Sequence, residues 1–228
     1  MKYWTWAEIK AKVRKELDLE AEVFIEESEL LEYANEAIDE AEAEIHALYE
    51  DYFLTSASIS LVANTEEYDL PSDIYAHKIR RIVYRNNSTV YEVERLRDWR
   101  KFEKKHVADV FSTSDLYTYF LRNTTPGSPK IIWVPKARET GPNAELWYIR
   151  NANRLLVDAD VCDIPEFITF IFDYMRVRVY EKEGHPLLQQ AEARLQRRRA
   201  LMQGVLSNMI PDAMNEIEAD MTMYEEME

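Results

Sequence analysis

SELLEYANEAIDEAEAEIHALYEDY, residues Ser28 to Tyr52, decides how this chain is read. Leu31, Ala34, Ile38, Ala41, Ile45, Leu48 and Tyr52 recur in steps of three and four, which places them along one stripe of an α-helix. Ser28 stands where an N-cap belongs, Ile25 precedes it as a staple residue, and the first Pro or Gly downstream is Pro71. The opposite face is acidic: from Glu16 to Asp51 there are fifteen Asp and Glu and no Lys or Arg. Glu36, Asp39 and Glu40 are its central members. A helix with small residues on one stripe and one sign of charge on the other needs neighbours for the stripe and tolerance for the charge.

Upstream, Thr5 and Glu8 form a capping-box pair, and Ala7, Ile9, Val13 and Leu17 predict a helix to about Asp18. Downstream the texture changes. TSASISLVA alternates as a half-buried strand, EYDLPSDIY (67–75) is extended until Pro71, and AHKIRRIVYRN is a second strand whose hairpin partner is Thr89 to Val93. RLRDWRKFEKKH (95–106) predicts a basic helix inserted among strands, through Leu96, Trp99 and Phe102. Strands resume at LYTYFLR (116–122), KIIWVP (130–135) and ELWYIR (145–150), divided by the turn sequences TTPGSP and ARETGPN. From Asp163, with Pro165 in its first turn, PEFITFIFDYMRVRVYEKEG is apolar nearly all round until Gly184, as a buried central helix would be. A further helix runs through LLQQAEARLQRRRALMQ.

The fold class expected is therefore α+β: a helical bundle with an inserted small antiparallel β unit and a C-terminal helical extension. The expected divisions are residues 1–52 and 163–206 for the helical body, 53–162 for the β unit with its short basic helix, and 207–228 for an acidic tail. In that tail Ile210, Met214, Ile217, Met221 and Tyr224 form an amphipathic stripe, with seven acidic residues and no basic one from Asp212 onward. Its methionines suit an adaptable binding face. Two outcomes stay open: a segment that becomes helical only against a partner, and one that packs back on its own helices.

With 228 residues and 46% apolar content the chain can build a real core, and its net charge is -15. No apolar run reaches the roughly 18 residues of a membrane span, and the N-terminus lacks a signal peptide's apolar centre, so neither a membrane nor export is expected. The single Cys162 forms no internal disulfide, and four scattered glycines make no phosphate cradle. A two-metal carboxylate site would want Glu-x-x-His on two helices, whereas Glu42 and His46 have three residues between them. Nothing marks a nucleophile, and His46, His77, His106 and His185 fall on different elements. No catalysis, metal or cofactor is expected.

Several stretches together carry a likeness: ELLEYANEAIDEAEAEI at 29–45, EYDLPSDIY running into KIRRIVY, TPGSPKIIWVP at 125–135, ELWYIR at 145–150 and DIPEFITFIFDYMRVRVYEKEG at 163–184. In this order they resemble the head-to-tail adaptor (head-completion or connector) proteins of tailed bacteriophages. The resemblance implies a virion protein made in the host cytoplasm and built into the neck. It implies a ring of identical subunits, twelve by analogy, docked beneath the portal protein and against further neck or tail proteins. Helices would surround a bore through which double-stranded DNA passes without sequence recognition, and the tail carrying Ile210, Met214, Ile217, Met221 and Tyr224 would bind the portal.

Given such a ring, Glu36, Asp39 and Glu40 are candidates to face the channel. Lys78, Arg80 and Arg81, with Arg97, Arg100 and Lys101, are candidates for the subunit interface, since head-to-tail contacts join unlike surfaces. The competing reading is a cytoplasmic DNA-associated regulatory or interaction protein using Arg95 to Lys105 and Arg197 to Arg199 on phosphates. A pI near 4.8 weighs against it. Those basic residues could equally meet the acidic helix of the same or a neighbouring subunit.

Overall fold

The computed structural model describes residues 2–19, 24–86, 89–108, 116–125 and 128–209. The tail stripe Ile210, Met214, Ile217, Met221 and Tyr224 lies outside the described residues. The chain divides into two compact units, Met1–Tyr49 with Asn153–Glu228, and Glu50–Ala152. The architecture is α+β, with a helical C-terminal part.

The helical unit holds α1 (Trp6–Glu16), α2 (Glu27–Leu48), α4 (Ile168–Glu183) and α5 (Leu188–Met209). The Thr5 hydroxyl accepts from Glu8 N at 3.3 Å while the Glu8 carboxylate accepts from Thr5 N at 3.2 Å, so the expected capping box opens α1. α2 is capped two residues before the expected Ser28: Glu26 is the N-cap and its N–H donates to the Glu29 carboxylate at 3.0 Å. The stripe of α2 that is buried runs Leu30, Ala34, Ala37, Ile38, Ala41 and Ile45, with Leu31 and Leu48 only half-buried. Small side chains there let neighbouring helices approach. α4 buries Phe170, Ile171, Phe172, Met175 and Val179 and packs against α1, α2 and α5, which is why its sequence shows almost no polar face. Gly184 closes α4 in the left-handed conformation (φ 67°), with His185 N donating to Tyr180 O at 2.9 Å.

The β unit contains β1 (Leu54–Leu61), β2 (Glu67–Asp69), β3 (Ile74–Arg85), β4 (Val90–Glu92), β5 (Glu94–Arg95), α3 (Trp99–Ala108), β6 (Thr118–Thr125), β7 (Ser128–Val134) and β8 (Gly141–Arg150). These make two four-stranded sheets, ordered β1-β8-β3-β4 and β2-β7-β6-β5. All pairs are antiparallel except β5 with β6. Side chains of both sheets share one core that includes Ile59, Leu61, Ile82, Tyr84, Ile131, Trp133, Leu146 and Tyr148. Alternation along β7 sends Ile131 and Trp133 into that core and Ile132 and Val134 to the other face. There Leu96 and Phe102 cover them, and Phe102 stacks on Phe120 with ring centroids 4.7 Å apart.

The basic helix is shorter at its start than the sequence predicts. Arg95 pairs with Tyr119 in the parallel ladder, and Asp98 Oδ1 then accepts from Arg100 N at 2.9 Å to start α3.

Candidate interaction surfaces

The acidic helix is matched by cations of its own unit. Glu29 pairs with Lys182 at 2.6 Å, and Glu36 with Arg178 Nε at 3.0 Å. Asp39 pairs with Arg154 and Glu40 with Arg199, whose Nε also lies 3.3 Å from Glu44. Lys182 holds the Glu29 carboxyl below its ordinary range. All three channel-facing candidates therefore stand beside guanidinium groups from residues more than 100 positions away. Exposed pairs of this sort contribute roughly 0–1 kcal/mol each, so they moderate the field of α2 more than they hold the fold.

One deeper contact fixes this surface. Asp173 on α4 is 2% exposed and meets Arg176 Nη1 at 2.9 Å, Arg194 Nε at 2.9 Å and Arg198 Nε at 3.2 Å, which ties α4 to α5. Arg176 also reaches Glu16 of α1 at 2.7 Å. The extended segment before α4 is held by the Asp160 carboxylate, which accepts from Val157 N at 2.8 Å and Leu156 N at 2.6 Å. Those bonds lower the Asp160 pKa.

The interface candidates of the β unit lie around an irregular stretch of β3. Ala76 and His77 adopt positive φ (44° and 56°), and the register against β8 shifts on both sides of Ile79. Two non-glycine residues in that region make a bulge that re-aims the following side chains. Lys78 then pairs with Glu50, Arg80 lies 2.6 Å from both Glu50 and Asp51, and Arg81 sits over the Trp147 ring at 5.1 Å. Lys78 holds the Glu50 carboxyl below its ordinary value, with Arg80 adding to the effect.

Arg80, Arg81, Arg97 and Lys101 line a cleft of about 500 Å³ together with Arg95, Glu92, Glu94 and Asp98. Lys78 and Arg80 line an adjoining cleft of about 490 Å³ that shares Arg95 and Ile79 and adds Arg122. Five of the six candidates are thus brought to neighbouring clefts, whereas Arg100 lines neither. Among the described residues, Arg97, Arg100 and Lys101 make no ion pair. Arg95, which opens the basic stretch Arg95 to Lys105, and Arg122, which the sequence does not mark, also belong to this surface.

Charge is divided between the units. Glu50–Ala152 carries 15 Lys and Arg against 14 Asp and Glu, and the remainder carries 13 against 29. Among the described residues no group of three His, Cys, Asp or Glu could hold a metal ion. Cys162 is buried, which pushes its thiol up to about 11. His46 faces Glu42 at 3.4 Å on the buried side of α2. No helix among the described residues is long and apolar enough to cross a membrane.

No curated protein matches the chain. A family does: the one described as SU10 adaptor protein matches residues 4–222, from just before α1, through both sheets and α5, and into the acidic end segment. With the match spanning both units and their linking segments, this chain belongs to the SU10 adaptor protein family and is a phage adaptor-type protein.

Proposed function

We propose that this adaptor is a structural virion protein that forms a ring between the portal and the tail of a bacteriophage and extends the DNA channel. The observation that carries the reading is the family match over residues 4–222, to which the division of charge adds a physical motive. A near-neutral unit whose Arg97, Arg100 and Lys101 make no ion pair among the described residues, joined to a strongly acidic unit, suits heterologous contacts. In such contacts unlike surfaces of successive copies meet and the rotation closes. The partners on this reading are identical subunits, the portal above, and neck or tail proteins below, with the acidic end segment 207–228 engaging the portal. No catalytic step and no cofactor is part of it.

The outer edge of α2, with Glu36, Asp39 and Glu40, is the surface proposed to approach the bore. Their guanidinium partners leave little net charge at each pair, so phosphates neither condense on the wall nor are driven strongly from it. Charge reversal tests the subunit contact: Arg97→Glu with Lys101→Glu should abolish ring formation on the portal while leaving the circular dichroism spectrum unchanged. Rings formed as readily by this variant would contradict the assignment of that cleft to the interface. A DNA-associated regulator would instead show salt-sensitive retention of duplex DNA by the purified chain, lost in the same variant.

A further inference from the structure

The two sheets of the β unit end in four edge strands, β1, β4, β2 and β5. Three of these edges are guarded. β2 (EYD), β4 (VYE) and β5 (ER) are two or three residues long and each carries charge, which leaves an incoming strand little to pair with. β1 differs: LTSASISL runs for eight residues without a charge, a proline or a glycine, in a chain of which 31% is charged. β8 takes one side of it, and no described residue pairs with the other. An uncharged open edge of this length is a template for another strand.

The side chains of β1 select the strand that fits. Ile59 and Leu61 are buried in the core that the two sheets share, and Ala57 packs against that core but is only half-buried. Thr55 falls on the same side by alternation, while Ser56, Ser58 and Ser60 are exposed on the other.

We propose that in the free protein β1 pairs with β1 of a second copy, antiparallel about a two-fold axis at Ala57. The regular ladder of β1 with β8 runs from Leu54 to Ile59 before its register shifts, and a pairing centred on Ala57 uses that stretch. It sets Ala57 against Ala57 and Thr55 against Ile59 on the core side, with Ser56 against Ser58 on the exposed side, so both faces match and the two cores join. A centre between two residues would instead set core-side positions against exposed ones. The remaining edges of a second copy are too short and too charged to complement β1, which makes the contact isologous. One ladder is a small contact beside the roughly 1,200–2,000 Å² of a stable complex, so the pair is a weak one that a larger assembly surface can part. The inference does not rest on the ring: it concerns the free subunit, whose open edge stays covered until a heterologous assembly replaces the pair.

Sedimentation of the full chain tests it: from about 1 to about 200 μM, monomers of 27.0 kDa should give way to dimers. Ser56→Lys with Ser58→Lys sets like charges against each other across the axis on an exposed face, and should weaken dimerisation at least about tenfold with the circular dichroism spectrum unchanged. Ser56→Glu with Ser58→Lys sets Glu against Lys in the same register and should keep the dimer, an outcome that bulk at these positions does not explain. Hydrogen exchange across residues 54–60 should slow as concentration rises in the unaltered chain and not in the double-lysine variant. A monomer throughout the range, or a dimer equally stable in the double-lysine variant, would overturn the proposal. Protection of β1 that appears only when portal is added would assign the edge to a different protein and overturn it as well.

Discussion

Asn35 holds Leu155 from both sides: its Nδ2 donates to the Leu155 carbonyl at 2.9 Å, and its Oδ1 accepts from Leu155 N at 2.9 Å. One side-chain amide thereby completes both backbone groups of a fully buried leucine in a segment that joins no sheet. Asn35→Ala removes both partners at once and should destabilise the protein by about 2 kcal/mol, since each part-buried backbone group left unpaired costs about 1 kcal/mol or more. Urea unfolding followed by circular dichroism measures it. Arg154→Ala, which breaks only the exposed pair with Asp39, should cost less than about 1 kcal/mol.

Asp173 is the buried counter-ion of three arginines, and removing it leaves their charges facing one another at the junction of α4 and α5. Asp173→Ala should cost about 3 kcal/mol, toward the lower end for breaking a buried pair because Arg194 and Arg198 keep some solvent. A loss below about 1 kcal/mol in the same urea experiment would contradict the account of this junction.

Gly184→Ala isolates a backbone effect. An added Cβ there meets nothing within 4 Å, so the expected loss of about 1 kcal/mol comes from the left-handed φ of 67° alone. Thermal unfolding should show a lower midpoint for Gly184→Ala, and Gly204→Ala, in a helical backbone with open space, should raise it slightly.

The pH dependence has two edges. Glu29 and Glu50 are held below their ordinary value of 4.5 by Lys182 and Lys78, so they contribute stability above that pH and lose it as pH falls through their lowered values. Cys162 is raised by burial from 9.0 to about 11, so it contributes below pH 9 and its contribution is lost as pH rises toward 11. The unfolding midpoint should be flat from about pH 6 to 8 and fall on both sides. Cys162 should react with a thiol reagent at about pH 8 only after denaturation.

The helices are legible in the sequence where packing follows local pattern. The period of α2, the Thr5 capping box, the all-round apolarity of α4 and the glycine that ends it are each readable within a few residues. The N-cap of α2 is not, because Ser28 has the better capping side chain, whereas Glu26 and Glu29 make the reciprocal contact. What local pattern does not carry is pairing across the chain. Division of the strands into two sheets, the parallel β5 and β6 contact, and the partners Arg154, Arg178 and Arg199 of the acidic helix all depend on residues brought together from far apart. The left-handed pair Ala76 and His77 gives little local warning, since two successive non-glycine residues rarely adopt that conformation.

Electron microscopy of the purified protein mixed with its portal tests the central claim most directly. A closed ring of identical subunits seated coaxially on the portal, its opening wide enough for duplex DNA, is the predicted result. An isologous dimer that persists in the presence of portal would contradict it.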